Sequence, residues 1–146
     1  MIAEKRLRQQ YAALPLAMDQ DGLRQVLLVT SRETGRWIIP KGWAEKGIKS
    51  YELAAREAYE EAGLRGKIGR KPIGHYRYTK WLRRTKRAKA VSCEVAVFAL
   101  RVERQLDDWP EKGQRERCWF SPAEAALLVD EGNLVTLLLE LAAQQS

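Results

Sequence analysis

The hydrophobic residues of this chain occur in short blocks that polar turns separate from one another. Short blocks rich in β-branched and aromatic residues are typical of strands rather than of helices. The pattern predicts six strands, at residues 11–18, 25–31, 37–40, 73–82, 90–101 and 115–120. Pro40 ends the third strand, because proline has no N–H to donate to a neighbouring strand. Residues 41–49, with Gly42 and Gly47, are predicted to form a loop in which unusual backbone angles cost little.

Three further segments have the composition and the boundary residues of helices. The first covers residues 50–62, with Ser50 as its N-cap and Gly63 at the left-handed position that commonly ends a helix. Its alanine residues form a face of small side chains that can pack closely on a sheet. The other two cover residues 122–128, with proline in the first position, and 134–144. This order of elements predicts an α/β fold, in which helices cover both faces of a mixed sheet.

The length of 146 residues fits one domain, which we expect to span residues 1–146. The first residues lack the apolar stretch of a secretion signal, and the longest apolar run of strand character is far too short to span a bilayer. The two cysteines, Cys93 and Cys118, have neither metal-ligand nor redox spacing, and we interpret both as buried, reduced thiols. These features predict a cytoplasmic protein with no membrane partner, and they leave the oligomeric state open.

Positive charge is concentrated in one part of the chain. The formal net charge is +7, and residues 65–89 contain eleven basic residues and no acidic one. A local positive field concentrates polyanions and speeds their capture. Lysine and arginine side chains hold phosphate groups, and arginine often does so through two hydrogen bonds. We therefore expect a polyphosphorylated small-molecule substrate, bound by Lys41, Arg83, Arg84, Lys86 and Arg87.

The basic segment also permits a second interpretation. Tyr76, Tyr78 and Trp81 alternate with basic residues, and aromatic side chains in such a setting stack on nucleobases. Alternating aromatic residues in a strand more often contribute to a core. RNA is therefore the less favoured of the two partners.

The first predicted helix contains the clearest chemical signal. Glu57, Glu60 and Glu61 are spaced i, i+3 and i+4, so their carboxylates share one face of the helix. Like charges in that arrangement repel one another by a few tenths of a kcal/mol per pair, and a bound cation relieves the repulsion. Clustered oxygen ligands suit Mg²⁺ or Mn²⁺, which commonly bridge carboxylates to the phosphate groups of a substrate. The spacing therefore predicts a metal-assisted phosphate site.

These residues resemble the signature of the Nudix hydrolase family. That signature has a glycine, five residues of any kind, a glutamate and seven residues of any kind. It continues with Arg-Glu, a hydrophobe, one residue of any kind, Glu-Glu, one residue of any kind, a glycine and a hydrophobe. Seven residues of this chain are in register with it: Gly42, Arg56, Glu57, Glu60, Glu61, Gly63 and Leu64. The chain departs from it at two positions, where Ile48 replaces the first glutamate and Ala58 replaces a bulkier hydrophobe. The missing glutamate at Ile48 affects an auxiliary interaction of the loop, whereas the cluster of glutamates on the helix is complete.

The resemblance implies an α/β/α sandwich whose reaction is the attack of water on a diphosphate bond. It implies that Glu57, Glu60 and Glu61 hold Mg²⁺ or Mn²⁺, and that the backbone carbonyl of Gly42 completes the metal shell. Arg56 has the role of orienting neighbouring carboxylates, and its spacing allows pairs with Glu52 and Glu60. The general base stays open between the helix glutamates and a loop acid such as Glu111, as does the number of metal ions.

Two flanking segments resemble one subfamily of the Nudix hydrolases. Residues 37–43 and 115–120 look like the corresponding segments of the diphosphoinositol polyphosphate phosphohydrolases, and the resemblance covers residues 11–139. Those enzymes and their microbial relatives hydrolyse inositol pyrophosphates, diadenosine polyphosphates or inorganic polyphosphate. Two alternatives stay open: a nucleotide or RNA 5′-end pyrophosphohydrolase, and a catalytically silent module that binds phosphorylated ligands.

Overall fold

The computed structural model describes residues 7–83 and 88–144, and the side chains of Arg83 and Ala88 lie outside that description. The described residues form eight strands and three helices: β1 (Arg8–Met18), β2 (Arg24–Thr30), β3 (Trp37–Ile38), β4 (Lys41–Trp43), α1 (Ser50–Ala62), β5 (Leu64–Ile68), β6 (Gly74–Arg83), β7 (Ala88–Gln105), β8 (Arg117–Phe120), α2 (Pro122–Leu128) and α3 (Gly132–Ala143). None of these helices is both long and apolar enough to cross a membrane. A single domain over residues 1–146 stays a prediction.

The strands form one mixed sheet in which β1 is central. The order is β3-β2-β1-β7-β5, with β4 beside β1, β6 beside β7 and β8 beside β2. β1 and β7 are parallel, whereas the other pairs are antiparallel. One edge of β1 changes partner along its length, because residues 16–18 pair with β2 and residues 10–12 pair with β4. The sheet therefore splits between β2 and β4.

Helices cover both faces of the sheet, and each face has its own core. On one face, residues of α2 and α3 such as Ala125, Leu134 and Leu138 pack against β1, β2, β6 and β7. On the other face, three alanines of α1 pack against large side chains such as Phe98 and Leu100. Small residues on the helix allow this close approach, as the sequence indicates. The predicted α/β fold, a mixed sheet between helices, is confirmed.

Several local predictions are wrong, for identifiable reasons. Residues 41–43 form β4 instead of the start of a loop, because β1 offers them a free edge that no local pattern reveals. The sequence pattern does not predict β5, since three of its five residues are exposed and apolar residues do not alternate with polar ones along it. Lys49 rather than Ser50 is the N-cap of α1, and its side chain makes no capping hydrogen bond. Cys93 is buried as expected, whereas Cys118 is exposed.

Gly63 ends α1 in the predicted left-handed conformation, with a φ of 67°. Its backbone N–H donates to the carbonyl of Tyr59 at 2.9 Å. A Cβ atom on Gly63 would lie 2.7 Å from Cδ2 of Trp109, so the position requires glycine for its backbone angle and for space. Trp109 is therefore packed directly on the end of the helix.

We expect Gly63→Ala to lower the free energy of unfolding by roughly 2–4 kcal/mol, because a left-handed backbone angle and overpacking each cost about 1–3 kcal/mol. Gly47→Ala is the matched control, since Gly47 also has a positive φ, of 87°, but nothing lies within 4 Å of a Cβ atom there. That variant should lose only about 1 kcal/mol. Urea unfolding measures both, and equal losses would show that contact with Trp109 is unimportant.

Candidate active site

A cavity of about 300 Å³ opens where the sheet splits, beside β4 and the last turns of α1. Its acidic lining residues are Glu33, Glu45, Glu57, Glu61 and Glu111. Its basic lining residues are Arg32, Lys41, Arg56, Lys80 and Arg115. A larger depression, of about 690 Å³, lies at the other end of β1, but none of the described residues that line it is acidic. The smaller cavity is therefore the one suited to both a cation and a phosphate group.

Glu57 and Glu61 are the two helix carboxylates that the structure brings together. They are one helical turn apart, and each side chain is a hydrogen-bonding neighbour of the other. Glu61 is only 4% exposed, and its Oε2 accepts a 3.3 Å hydrogen bond from the backbone N–H of Lys41. Its Oε1 has no hydrogen-bond partner among the described residues. A buried carboxylate oxygen without a partner is a suitable ligand for a cation.

The electrostatics of the pair favour a shared proton in the absence of a cation. Burial is the main cause that raises the pKa of Glu61, from its ordinary value of 4.5 to about 8. The neighbouring Glu57 raises it further, while Arg115 and Lys41 act in the opposite direction. Burial also raises the pKa of Glu57, with a contribution in the same direction from Glu60. A divalent cation would replace the proton and relieve the repulsion.

Gly42 is required at this site because of space. A Cβ atom on it would lie 2.5 Å from Cδ of Glu57, so any side chain would displace that carboxylate. Gly42 does not have a positive φ, and the expectation that it serves an unusual backbone angle is wrong. The expectation holds for Gly47, whose φ is 87°. The close approach leaves β4 directly against the carboxylate pair.

Glu60 occupies a different position from its two neighbours. It is partly buried and is not among the described residues that line the cavity. One residue rotates a helix by about 100°, so Glu60 points away from the line that joins Glu57 to Glu61. Within residues 7–83 and 88–144, no group of three or more Asp, Glu, His or Cys side chains is arranged to hold a metal ion. The role of Glu60 as a ligand stays a prediction.

Arg56 makes its ion pairs with residues other than the predicted ones. Its Nη2 donates to Oε2 of Glu45 at 2.7 Å, and its Nε lies 3.8 Å from Oε2 of Glu57. The expected pairs with Glu52 and Glu60 are not among the ion pairs of the described residues. The loop thus supplies an acidic partner three residues before Ile48, the position where the signature glutamate is missing. Arg56 connects this loop to the carboxylate pair.

Arg115 is a part of the site that the sequence did not reveal. Its Nε donates to Oε1 of Glu111 at 2.9 Å, and its Nη1 donates to the carbonyl of Thr30 at 3.1 Å. Its Nη2 lies 3.6 Å from Oε1 of Glu61, which is too long for a hydrogen bond. The backbone N–H of Glu111 donates to the carbonyl of Glu60 at 3.0 Å. The i, i+4 spacing of Glu111 and Arg115 was the available signal, but it does not reveal contact with a helix fifty residues earlier.

Of the five basic residues predicted to bind phosphate groups, one lines the cavity and the others are not described by the structure beyond the backbone of Arg83. Lys41 lines the cavity, and burial is the main cause that lowers its pKa. Arg84, Lys86 and Arg87 lie outside the described residues, and Arg83 is described only through its backbone in β6. Lys80, which was not among the five candidates, lines the cavity.

The three aromatic residues proposed for stacking have different surroundings. Tyr76 is buried in the core, and Tyr78 donates a 2.6 Å hydrogen bond to Oε1 of Gln10. Trp81 is 63% exposed. Tyr76 is thus unable to reach a nucleobase, and contact with RNA stays a prediction.

Comparison with known proteins identifies the family. A model of the NUDIX domain matches residues 8–138, which is most of the chain. The chain belongs to the NUDIX domain family. Nudix hydrolase 12, mitochondrial, of Arabidopsis thaliana is 36% identical over 101 residues, which are 69% of this chain and 50% of that protein. Diphosphoinositol polyphosphate phosphohydrolase 2 of Rattus norvegicus is 36% identical over 104 residues, 69% of this chain and 52% of that protein.

This Nudix chain therefore spans about half the length of the curated relatives that it matches. Solved structures resemble it along nearly its whole length. The C. elegans Ap4A hydrolase binary complex has a TM-score of 0.64 at 20% identity, and the match covers 94% of this chain and 97% of that chain. The E. coli dihydroneopterin triphosphate pyrophosphohydrolase has a TM-score of 0.62 at 15% identity, with coverage of 96% and 99%. At these identities the likeness shows the fold, and it confirms the expected Nudix sandwich.

Without divalent cations, we expect the free energy of unfolding to decrease as the pH rises from about 5 to about 8. The unfolded chain releases the Glu61 proton near pH 4.5, whereas the folded chain holds it up to about pH 8. The proton therefore stabilises the folded state at low pH, and this contribution is lost on titration through the folded pKa. One pKa unit corresponds to about 1.4 kcal/mol, so the decrease is at most roughly 5 kcal/mol. Urea unfolding in EDTA at a series of pH values measures it.

Glu61→Gln should flatten this pH dependence, because the amide has a similar shape and no proton to lose. Glu52→Gln is the control, since Glu52 is exposed in the first turn of the same helix. The decrease should persist in that variant. An equally steep decrease in Glu61→Gln would exclude Glu61 as its source.

Proposed function

We propose that this Nudix domain hydrolyses a diphosphate bond in a highly phosphorylated compound, with the aid of a divalent cation. The observation that supports this most strongly is the pair of the buried Glu61 and the half-buried Glu57 at a cavity that also carries five basic side chains. The acidic part suits the cation, and the basic part suits the phosphate groups. A solvated acidic helix face would leave both carboxylates exposed, which is not the case for Glu61.

The donor set fits a hard divalent cation such as Mg²⁺ or Mn²⁺. Glu57 and Glu61 would hold it, with the carbonyl of Gly42 and the carboxylate of Glu60 as further ligands. Mg²⁺ usually binds through one or two carboxylates and completes its shell with water and substrate phosphates, so the two carboxylates of Glu57 and Glu61 are sufficient. A cation held there would supply positive charge to offset that of the diphosphate and would make water more acidic.

The protein side chains around the pair position the reactants. Lys41 and Arg115 place positive charge next to Glu61, in the cavity that we propose receives the phosphate groups. Arg115 also fixes the carboxylate of Glu111 in the same cavity. Glu111 is thus a candidate acceptor for the proton of the attacking water, in addition to the helix glutamates. Attack at phosphorus forms a new P–O bond and breaks the P–O bond to the leaving phosphate group.

The substrate class follows from the charge and the relatives. The eleven basic residues of segment 65–89 and the five that line the cavity favour a ligand with many phosphate groups. One group of relatives carries the name diphosphoinositol polyphosphate phosphohydrolase, at 36% identity. We therefore favour an inositol pyrophosphate, a diadenosine polyphosphate or inorganic polyphosphate as the substrate. A cytoplasmic location is part of this proposal, although some relatives carry mitochondrial names.

Glu61→Gln should lower kcat/KM by roughly 10³-fold, because cation stabilisation of the transition state is worth several kcal/mol. Thermal unfolding should show that the fold is kept. Glu52→Gln should retain the activity of the unchanged protein, since it removes the same charge from the exposed part of α1. EDTA should abolish turnover, and Mg²⁺ or Mn²⁺ should restore it. Unchanged turnover in Glu61→Gln would refute the assigned role.

A substrate panel scored by kcat/KM separates the proposal from its alternatives. Inositol pyrophosphates, diadenosine polyphosphates and inorganic polyphosphate should exceed a nucleoside diphosphate sugar, because they carry more phosphate groups for the basic cavity. A consistent preference for substrates with a base, including triphosphorylated RNA, would instead indicate a nucleotide or RNA 5′-end pyrophosphohydrolase. Ligand binding without phosphate release, in Mg²⁺ and in Mn²⁺, would indicate a silent binding module.

A further inference from the structure

Two cations and one aromatic ring form a group at the edge of the carboxylate cavity, and neither the ring nor Arg8 has a role in the chemistry described above. It is formed by β1, β4 and β6, on the face of the sheet that Gln10 shares with the α2–α3 core. The register places Arg8 opposite Cys93, and Lys80 opposite Val91, two residues away on β7. Residues two apart on a strand share one face, so Arg8 and Lys80 project on the same side. Trp43 of β4 is paired with Gln10 on that side.

Trp43 contacts both cations. Cζ of Arg8 lies 4.9 Å from the centroid of the Trp43 ring, and Nζ of Lys80 lies 5.9 Å from it. Both distances are within the range of cation–π attraction, for which tryptophan is the best of the aromatic side chains. Trp43 and Lys80 also line the carboxylate cavity, so this group borders the proposed site of reaction.

Arg8 and Lys80 differ from Arg56 and Arg115 in their lack of acidic partners. Arg56 pairs with Glu45, and Arg115 pairs with Glu111. Neither Arg8 nor Lys80 forms an ion pair with a carboxylate among residues 7–83 and 88–144. Both charges lie against one neutral ring, which does not neutralise them, whereas a bound anion would. Their positive charge is thus available to a ligand.

We propose that Trp43 is a positioning residue that holds Arg8 and Lys80 as a clamp for phosphate groups beyond the diphosphate that is cleaved. This inference rests on the proposed function, and it deepens that function by naming the residues that select densely phosphorylated substrates. The ring restricts two long, flexible side chains before the ligand arrives, so less conformational entropy is lost on binding. The clamp lies on the described strands β1, β4 and β6.

A nucleobase stacked on Trp43 is the competing use of the same ring. The two cations already contact the ring, and a base would have to displace at least one of them or share the ring with it. A polyanion requires no such rearrangement, because it binds the cations where they are. The geometry therefore favours phosphate groups over a base.

The direct test is the binding of inositol hexakisphosphate, measured by calorimetry without divalent cations. This probe is a dense polyanion with no base and no diphosphate bond, so its binding does not depend on catalysis. The double variant Arg8→Gln/Lys80→Gln should raise Kd about tenfold or more, since it removes two charge-assisted contacts to phosphate. The salt dependence of binding should also become shallower. Arg70→Gln is the matched control, because Arg70 lies over the ring of Tyr51 at 5.5 Å and does not line the cavity.

Variants of the ring separate positioning from general folding effects. Trp43→Leu keeps both charges but removes the ring, and it should raise Kd for the probe; Trp43→Phe should restore part of the affinity. In turnover assays, Trp43→Leu should raise KM for a densely phosphorylated substrate with little change in kcat, and it should affect a nucleoside diphosphate sugar less. A merely structural role would change kcat and KM for both substrates.

Three results would overturn the clamp. One is probe affinity in the Arg8→Gln/Lys80→Gln variant equal to that of Arg70→Gln. Another is a Trp43→Leu defect confined to substrates with adenine, which would show that the ring contacts a base. The third is an equal change of KM for all substrates. These outcomes can be told apart from a failure of the proposed function. If the protein hydrolyses its substrate but the Arg8→Gln/Lys80→Gln variant binds the probe unchanged, only the clamp is refuted. If probe binding depends on the clamp but the protein hydrolyses nothing, only the hydrolase is refuted.

Discussion

The site depends on the burial of two like charges one helical turn apart. Glu61 is withdrawn from water and Glu57 is half-buried where β4 approaches α1, and this burial makes their simultaneous ionisation unfavourable. A fold keeps such an unfavourable pair of charges when the pair serves the function of the site. Here the absence of a side chain at Gly42, the N–H of Lys41 and the guanidinium of Arg115 keep the pair in place. The arrangement suits the cation that we propose, and both carboxylates ionised together are unfavourable without a bound cation or a proton.

The sheet provides the opening in which this pair lies. If β2 continued along the whole edge of β1, its side chains would fill the space that the cavity occupies. The edge instead passes from β2 to the short strand β4, and the chain between them leaves a cleft at the end of α1. Both core faces remain closed, since α2 and α3 cover one and α1 covers the other. The site is thus built at an interruption of the sheet, without loss of either core.

The sequence was sufficient for the features that depend on neighbouring residues. The bounds of α1, the left-handed Gly63 and the helix that begins at Pro122 follow from local spacing and backbone preferences. The contacts of Arg115 and the strand pairing of β4 depend on segments that meet only after the chain has folded. The sequence places Gly42 in a motif but does not show why a glycine is needed there. The reason is the proximity of Glu57, which depends on the folded structure.

The end of α1 and the following loop form a single unit. The Trp109 ring packs on Gly63, and the guanidinium of Arg117 lies 3.8 Å from that ring. Arg117 also donates to the backbone carbonyls of Ala62 and Leu106, at 2.7 and 2.8 Å. Helix α1 is therefore anchored by a segment encoded far downstream. A graft of residues 50–63 into another scaffold would transfer the carboxylates but leave their anchor behind, so the smallest transplantable module includes residues 106–117.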